Sequence, residues 1–202
     1  MRIIAGTKRG MKLFGPKAGD SRPIIDRVKE ALFSVLYKYD LPAGKVVADV
    51  FSGVGSLGLE ALSRGAGFVN FVEKDPRVVA VLEKNIAKAG FAARSRVITA
   101  NAFRIGAPAA PDGRKCDLVF IDPPYADTAD VSPGSALAGV LALVCEQMAA
   151  GGFAVVRTRR GVELLERYAR FKVTERRQWG TMAVTILQRE QDDEETSGGK
   201  HN

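Results

Sequence analysis

Four consecutive residues, Asp122-Pro123-Pro124-Tyr125, place a carboxylate, two rigid rings and an aromatic side chain next to one another. They follow the apolar run 118–121, which predicts a fully buried parallel strand. The prolines cannot donate to a strand ladder, so they should end the strand and stiffen the turn after it. Asp122 and the Pro123 carbonyl could accept hydrogen bonds from an amine, and Tyr125 could stack on a flat ring. The pattern favours chemistry on an amine-bearing base, although Asp-Pro also begins ordinary turns.

A glycine-rich loop follows another predicted strand and leads into a helix. Its glycines Gly53, Gly55 and Gly58 match the G-x-G-x-x-G pattern, in which the backbone approaches a nucleotide closely. Glu73 ends the next predicted strand, where an acidic side chain can bind the two hydroxyls of a ribose. The loop therefore fits two classes of protein, a dinucleotide-dependent dehydrogenase and an enzyme that binds S-adenosylmethionine.

The position of Asp49 favours S-adenosylmethionine. Asp49 lies four residues before the first of these glycines, where its carboxylate would meet an amino group, directly or through water, rather than a pyrophosphate. A dehydrogenase would also need an acid or base, and the only histidine is His201 near the C-terminus. Asn101 and Ala102 follow the third strand and could reach the adenine amine, although Asn101 could equally cap a helix. The predicted cofactor-binding residues are Asp49, Phe51, Gly53, Gly55, Leu57, Glu73, Lys74, Asn101, Ala102 and Asp122.

Charge is distributed unevenly along the chain. The 202 residues carry a formal net charge of +7, and residues 190–202 carry −4, which leaves +11 on residues 1–189. This high positive charge on residues 1–189 favours a polyanionic partner, of which nucleic acid is the most plausible. Cys116 and Cys145 lie far apart without metal-ligand spacing, and no signal peptide or bilayer-length apolar run is visible. We therefore expect a soluble, cytoplasmic protein without a metal site or membrane segment.

Strand-like and helix-like segments alternate after Lys45, which predicts a mainly parallel sheet with helices on both faces. With S-adenosylmethionine favoured as the ligand of the loop, we expect a fold similar to the Rossmann-like α/β fold of class I methyltransferases. The last two strands should form an antiparallel hairpin because the link between them is short. The predicted strands are 46–51, 68–73, 96–100, 118–121, 153–157, 171–176 and 182–188, and the predicted helices are 57–64, 77–89, 135–149 and 162–168. The predicted units are a basic N-terminal extension (1–40), the main domain (41–189) and a disordered acidic tail (190–202).

The N-terminal extension holds nine basic side chains against four acidic ones. Segments 2–5 and 11–14 predict a β-hairpin, and residues 24–39 predict a helix with an apolar stripe. We expect the extension to pack on the main domain and to bind RNA phosphates, with Arg22 and Arg27 alternatively bracing the site. The predicted RNA-binding residues are Arg2, Lys8, Arg9, Lys12, Arg22 and Arg27.

These motifs resemble those of the bacterial RsmD-type methyltransferases, which methylate the exocyclic N2 of one guanine in 16S ribosomal RNA. The likeness covers about residues 1–189. The glycine-rich loop and the Asp-Pro-Pro-Tyr motif are shared with many amino-methylating enzymes. More specific are the start 1–6, the stretch 22–33 and the Leu-Gly-Leu-Glu-Ala-Leu-Ser-Arg-Gly-Ala run at 57–66. The chain departs from the common family pattern at Ile24, Ile25 and the Phe-Ser-Gly-Val-Gly-Ser loop.

The resemblance implies S-adenosylmethionine as cofactor and a guanine of 16S rRNA, position 966 in rRNA numbering, as acceptor. The substrate would be a 30S subunit or an assembly intermediate, and we expect the enzyme to be a monomer. The predicted catalytic residues are Asp122, Pro123, Pro124 and Tyr125, with the guanine extruded onto Tyr125. Four alternatives remain: methylation of adenine N6 in DNA or RNA, methylation of a release-factor glutamine, a binding protein that has lost catalysis, and the dinucleotide-dependent dehydrogenase.

Overall fold

The fold is described from a computed structural model, which covers residues 1–15 and 26–192. Within these residues the strands are β1 (Val46–Val50), β2 (Phe68–Glu73), β3 (Ser95–Thr99), β4 (Cys116–Ile121), β5 (Met148–Arg159), β6 (Arg167–Tyr168), β7 (Phe171–Trp179) and β8 (Met182–Arg189). The α-helices are α1 (Asp26–Leu36), α2 (Ser56–Ser63), α3 (Pro76–Ala89), α4 (Ala102–Ile105) and α5 (Ala136–Gln147). No helix in these two ranges is long and apolar enough to cross a membrane.

The strands form one mixed sheet in the order β3-β2-β1-β4-β5-β8-β7-β6. Neighbours from β3 to β5 run parallel, whereas β8 is antiparallel to β5 and β7 is antiparallel to β8. Successive side chains of β1 alternate between two apolar clusters. Val47 joins the cluster on the side of α1, α2 and α3, and Val46, Ala48 and Val50 join the cluster on the side of α5. The prediction of a mainly parallel sheet with helices on both faces and an antiparallel C-terminal hairpin is confirmed.

The predicted N-terminal helix covers α1 and then tightens into a 3-10 turn at Tyr37–Tyr39. Its first two predicted residues, 24 and 25, lie outside the described residues. The strand β5 begins at Met148, five residues before the predicted start, and follows α5 directly. Glu190 and Asp192, at the start of the predicted tail, pair with Arg167 and Arg170. Residues 193–202 of the predicted tail lie outside the described residues.

The predicted helix at residues 162–168 is wrong. Leu164 and Tyr168 are both buried, at a spacing of four that is also typical of one face of a helix. The segment is instead irregular and ends in the two-residue strand β6. The Tyr168 hydroxyl donates to the Val131 carbonyl at 2.8 Å, and the Glu166 carbonyl accepts from the Val173 N–H at 3.0 Å. These contacts with β7 and a distant loop take the place of helical hydrogen bonds.

The N-terminal segment, residues 1–15, folds back on itself. One antiparallel bridge joins Arg2 and Lys12, and the Ile3 N–H donates to the Met11 carbonyl at 3.0 Å. A short 3-10 helix at Gly6–Lys8 lies between the paired pieces. The predicted hairpin is therefore present in reduced form, with one bridge in place of two regular strands.

Glu60 of α2 holds the N-terminal segment against the main sheet. Its carboxylate accepts hydrogen bonds from the N–H groups of Ile4, at 2.7 Å, and Ala5, at 3.0 Å. The same carboxylate pairs with Lys29 of α1 at 3.4 Å and with Arg64 at 2.7 Å. Burial lowers the pKa of Lys29, and the nearby Glu60 opposes that shift. Lys29 is fully buried, so it does not contribute to the basic surface that the extension was expected to present.

Ser63 makes a second contact between α2 and the N-terminal segment. Its Oγ donates to the Ala5 carbonyl at 2.6 Å and accepts from the Lys8 N–H at 3.0 Å. The two backbones approach so closely that a Cβ on Gly6 would lie 1.8 Å from the Ser63 carbonyl oxygen. Gly6 also has a φ of +79°, which glycine adopts without strain. Docking of the segment on α2 therefore requires a residue without a side chain at position 6.

Candidate active site

A cavity of about 480 Å³ lies at the carboxyl ends of the parallel strands, where open α/β sheets bind ligands. It brings together most of the residues predicted for cofactor binding and catalysis. Those that line it are Phe51, Gly53, Glu73, Lys74, Asn101, Ala102, Asp122, Pro123, Pro124 and Tyr125. The glycine-rich loop, the end of β2 and the Asp-Pro-Pro-Tyr turn thus share one cavity.

Three predicted cofactor-binding residues, Asp49, Gly55 and Leu57, do not line this cavity. Leu57 is buried in the apolar cluster beneath the loop. A Cβ on Gly55 would lie 2.5 Å from Leu82 Cδ1, so this glycine makes room for the core rather than for a ligand. The same holds for Gly58, whose added Cβ would lie 2.3 Å from the Phe71 ring.

Asp49 lies beneath the glycine-rich loop and is almost fully buried. Its Oδ2 accepts a hydrogen bond from the Gly58 N–H at 2.8 Å, which fixes the first turn of α2. Burial raises the pKa of Asp49 well above its ordinary value, the Gly58 N–H opposes the shift, and the carboxylates of Asp122 and Glu73 add to it. Asp49 therefore stabilises the conformation of the glycine-rich loop through its backbone.

Glu73 connects the end of β2 to the glycine-rich loop. Its Oε2 accepts from the Gly53 N–H at 3.0 Å, and its Oε1 accepts from the N–H groups of Lys74, at 2.8 Å, and Asp75, at 2.9 Å. A carboxylate has about four lone-pair positions, so acceptor capacity remains for a ligand. A Cβ on Gly53 would meet nothing within 4 Å, which leaves open space on the cavity side of the loop.

Two aromatic rings form part of the same wall. Phe51 and Phe103 meet edge to face, with ring centroids 4.8 Å apart. Phe51 has a φ of +64°, an uncommon conformation for a bulky residue that is tolerated at functional turns. Asn101 caps α4 by accepting from the Phe103 N–H at 3.0 Å, and it also lines the cavity. The capping role and the position on the cavity wall therefore coexist at Asn101.

Asn85 of α3 joins the N-terminal segment to the glycine-rich loop. Its Nδ2 donates to the carbonyls of Phe14 and Val54, both at 3.0 Å, and its Oδ1 accepts from the Phe14 N–H at 2.8 Å. Asn85 is fully buried, so these three hydrogen bonds are shielded from water. One side chain, that of Asn85, thus connects Phe14 at the end of the segment to Val54 on the wall of the cavity.

Asp122 is paired with an arginine that sequence reasoning did not place in the site. Arg157 of β5 donates from Nε to Asp122 Oδ1 at 2.5 Å, and both side chains are largely buried. Burial raises the pKa of Asp122, and the Arg157 guanidinium opposes that shift. The pair provides a carboxylate of fixed orientation at the cavity wall.

Tyr125 lies beside two guanidinium groups. The central carbon of Arg157 lies 5.9 Å from the ring centroid, and that of Arg159 lies 5.6 Å from it. Both distances fit cation–π contact. The tyrosine ring is half-buried, so part of its surface is open to a ligand.

The predicted RNA-binding residues do not line the cavity. Four of them are exposed: Arg2, Arg9, Lys12 and Arg27. Lys8 is half-buried, and Arg2 forms an ion pair with Asp26 at 2.8 Å. Arg22 lies outside the described residues. Contact between these side chains and RNA stays a prediction.

Sequence reasoning missed Arg157, Asp75, Arg77 and Phe103, all of which line the cavity. Arg157 ends a predicted strand, so the rule that ligands bind at the carboxyl ends of strands could have found it. Asp75 caps α3 through the Arg77 N–H, and pairing with Arg77 lowers the pKa of Asp75 to about 2. The Asp-Pro dipeptide at the start of α3 is the sequence pattern that could have identified Asp75 as a helix cap.

Comparison with known proteins agrees with this geometry. The family model described as conserved hypothetical protein 95 matches residues 1–188. YlbH of Bacillus subtilis, whose name presents it as a candidate rRNA methyltransferase, is 30% identical over 94% of this chain and 99% of its own. Ribosomal RNA small subunit methyltransferase D of Escherichia coli K12 is 42% identical over 62% of this chain and 60% of its own. The chain belongs to the RsmD-type methyltransferase family.

A solved structure matches nearly the whole chain. The candidate methyltransferase yhhF of Escherichia coli superposes with a TM-score of 0.76 and 31% identity, over 94% of this chain and 98% of that one. Within the RsmD-type run at 57–66, Glu60 and Ser63 anchor the N-terminal segment, Arg64 pairs with Glu60, and Gly58 packs α2 on β2. This run therefore serves docking and packing.

Proposed function

We propose that this chain transfers a methyl group from S-adenosylmethionine to the exocyclic N2 of one guanine in 16S rRNA, position 966 by family resemblance. The observation that carries the proposal is the shared cavity. One wall holds Glu73 and the glycine-rich loop, and another holds Asp122, the prolines and Tyr125. A cofactor on the first wall and an amine-bearing base on the second would therefore be adjacent.

The residues on the first wall fit S-adenosylmethionine. About 480 Å³ lies within the range of small-molecule sites, and polar groups on an otherwise apolar lining would fix the ligand's orientation. Glu73 would accept the ribose hydroxyls, the open side of Gly53 would admit the methionyl part, and Asn101 would reach the adenine amine. When bound, the cofactor supplies a methyl group activated by attachment to a positively charged sulfur.

The residues on the second wall fit a flat base with an exocyclic amine. Tyr125 would stack on the extruded guanine, and Asp122 with the Pro123 carbonyl would accept hydrogen bonds from N2. These acceptors orient the nitrogen lone pair and stabilise the positive charge that develops on the nitrogen. Most of the rate enhancement would come from positioning of the two reactants, which lowers the activation barrier by about 7–11 kcal/mol in favourable cases.

The name of the Escherichia coli relative supports small-subunit rRNA as the substrate. We propose that the chain acts as a monomer in the cytoplasm on 16S rRNA within a 30S subunit or an assembly intermediate. The exposed basic residues of the N-terminal segment and α1 would contact its phosphates.

The test is transfer of labelled methyl from S-adenosylmethionine to small subunits isolated from cells that lack this protein. The modified nucleotide is then mapped. Label on N2 of a single guanine is the expected result. Label on an adenine or on protein would contradict the proposed acceptor while keeping the methyltransferase class.

A further inference from the structure

A second cavity of about 500 Å³ lies beside the active site and shares Tyr125 with it. Its other lining residues are Arg159, Arg160, Gly180 and Thr181. We call these five residues the arginine groove. Arg159 and Arg160 are the charged residues of this lining, and neither belongs to the predicted RNA-binding set.

The C-terminal hairpin holds both arginines in place. Arg159 ends β5 and pairs in the sheet with Met182 of β8. The Arg160 N–H donates to the Thr181 carbonyl at 2.9 Å, and its Nη1 lies 3.4 Å from the Gly180 carbonyl. The two guanidinium groups therefore extend from ordered backbone next to the active site.

No carboxylate within the described residues lies within ion-pair distance of Arg159 or Arg160, although both side chains are exposed. Other arginines on the last three strands and their flanks differ in this respect. Arg167, Arg170, Arg176, Arg177 and Arg189 are each paired with a carboxylate. Among residues 1–15 and 26–192, the groove thus concentrates positive charge that no carboxylate neutralises, which suits it to an external anion.

We propose that the arginine groove binds the backbone phosphates next to the guanine that enters the active site. The inference rests on the proposed function, because it takes the base on Tyr125 to be a nucleotide of an RNA strand. A base stacked on Tyr125 carries its sugar and phosphates beyond the edge of the tyrosine ring, and the guanidinium carbon of Arg159 lies 5.6 Å from the centroid of that ring. Guanidinium groups bind phosphate oxygens through paired hydrogen bonds.

Because the groove lies next to the active site, its role would differ from that of the basic N-terminal segment. Charges on the N-terminal segment would act on the RNA backbone at a distance from the cavity, whereas the groove would hold the phosphates that flank the reacting nucleotide. Such contacts compensate part of the cost of unstacking the base, since the extruded nucleotide is held by both its ring and its backbone.

The first experiment compares the double variant R159Q/R160Q with the wild-type protein. Binding of a fluorescent single-stranded RNA that contains the target guanine is titrated at several salt concentrations. Two lost phosphate contacts should weaken binding by about tenfold or more and reduce the log–log salt slope by about 1.4. Affinity for S-adenosylmethionine should not change, which also shows that the variant is folded.

The matched control is R114Q/K115Q. It removes the same charge from two exposed, adjacent residues just before β4. These residues lie at the amino end of a parallel strand, whereas the cavities lie at the carboxyl ends. Its affinity for the RNA should stay within about twofold of wild type. Equal weakening in both double variants would overturn the proposal, because it would assign the effect to net charge.

A second experiment removes the phosphates instead of the arginines. Uncharged methylphosphonate linkages replace, one at a time, the phosphates on either side of the guanine. One replacement should weaken binding to the wild-type protein several-fold and leave binding to R159Q/R160Q unchanged. Equal sensitivity in the two proteins would overturn the proposal, and would indicate that Arg159 only packs on Tyr125.

The binding readouts are independent of methyl transfer, so the two proposals fail separately. Label on a guanine of rRNA with an unchanged salt slope in R159Q/R160Q would reject the groove and keep the proposed function. A phosphate dependence that requires the arginines, without label on any rRNA guanine, would reject the proposed acceptor and keep the groove.

Discussion

Arg157 Nε lies 2.5 Å from Asp122 Oδ1, across the carboxyl ends of two adjacent parallel strands. The contact follows from register, since Ile121 of β4 pairs with Val156 of β5 and the next residue on each strand meets its counterpart. Arg157 also contacts the ring of Tyr125. One side chain therefore orients both the acceptor carboxylate and the stacking ring, which makes Arg157 a positioning residue.

Replacement of Arg157 should change the pH dependence of methyl transfer. Asp122 must be ionised to place a negative charge next to the positive charge that develops on N2, and burial already raises its pKa. Removing the guanidinium in Arg157→Met removes the charge that opposes this shift, so the pKa rises further. The acid limb of the kcat profile should move to higher pH, measured by single-turnover transfer across a pH series.

Arg157→Lys is the control, because it keeps the positive charge but not the planar fork. Its acid limb should stay close to that of the wild type, with a lower maximum rate. An acid limb that does not move, or moves to lower pH, in Arg157→Met would contradict the assigned role.

Replacement of Asp122 should affect methyl transfer far more than cofactor binding. Asp122→Ala removes an acceptor for N2, which should lower kcat by about 10²- to 10³-fold, as for loss of a donor to a developing charge. Titration with S-adenosylmethionine should give an affinity within a few-fold of wild type. Equal losses in affinity and rate would instead assign Asp122 to the cofactor.

Gly6→Ala should loosen the N-terminal segment. A Cβ there meets the Ser63 carbonyl oxygen at 1.8 Å, in addition to the strain of a positive φ. Gly10→Ala is a close control, since Gly10 has a φ of +83° but open space around its Cβ position. Both substitutions should cost about 1–2 kcal/mol in the free energy of unfolding from strain, and Gly6→Ala should cost more. Equal denaturation midpoints would show that the approach to Ser63 is easily relieved.

Glu60→Ala should strongly destabilise the protein. It leaves the buried ammonium of Lys29 without its carboxylate, and loss of one partner of a buried pair costs about 3–5 kcal/mol. Two N–H groups of the N-terminal segment also lose their acceptor. Denaturant unfolding measures the change, and the double variant K29M/E60A should recover part of the loss. As a control, Asp112→Ala breaks an exposed ion pair and should leave the midpoint nearly unchanged.

Most of the strands could be predicted because their apolar runs mark them directly, although β6 was missed and β5 was predicted too short. Residues 68–73, for instance, match β2 at both ends. The positions of Glu73, Asn101 and Asp122 at one edge follow from the general rule for parallel sheets. The cavity residues predicted on this basis are therefore found together.

Contacts set by register and packing could not be read from the chain. Arg157 meets Asp122 only because β4 and β5 pair in one particular register. The roles of Gly55 and Leu57 depend on which side of the loop faces the core, which the G-x-G-x-x-G spacing does not reveal. Likewise, the sequence alone predicts that Lys29 is a surface charge, whereas in the structure it is buried next to Glu60 of α2.

The segment before β7, where the predicted helix is missing, has a consequence for self-association. A nine-residue outer strand such as β7 would otherwise present a long row of open backbone groups, which invites pairing with another chain. Here β6 covers its first residues, the Glu166 carbonyl takes the Val173 N–H, and Arg176 reaches the Leu164 carbonyl at 2.7 Å. Charged side chains follow along the same strand. The irregular segment thus protects the sheet margin against aggregation, which a helix lying on a face of the sheet would not do.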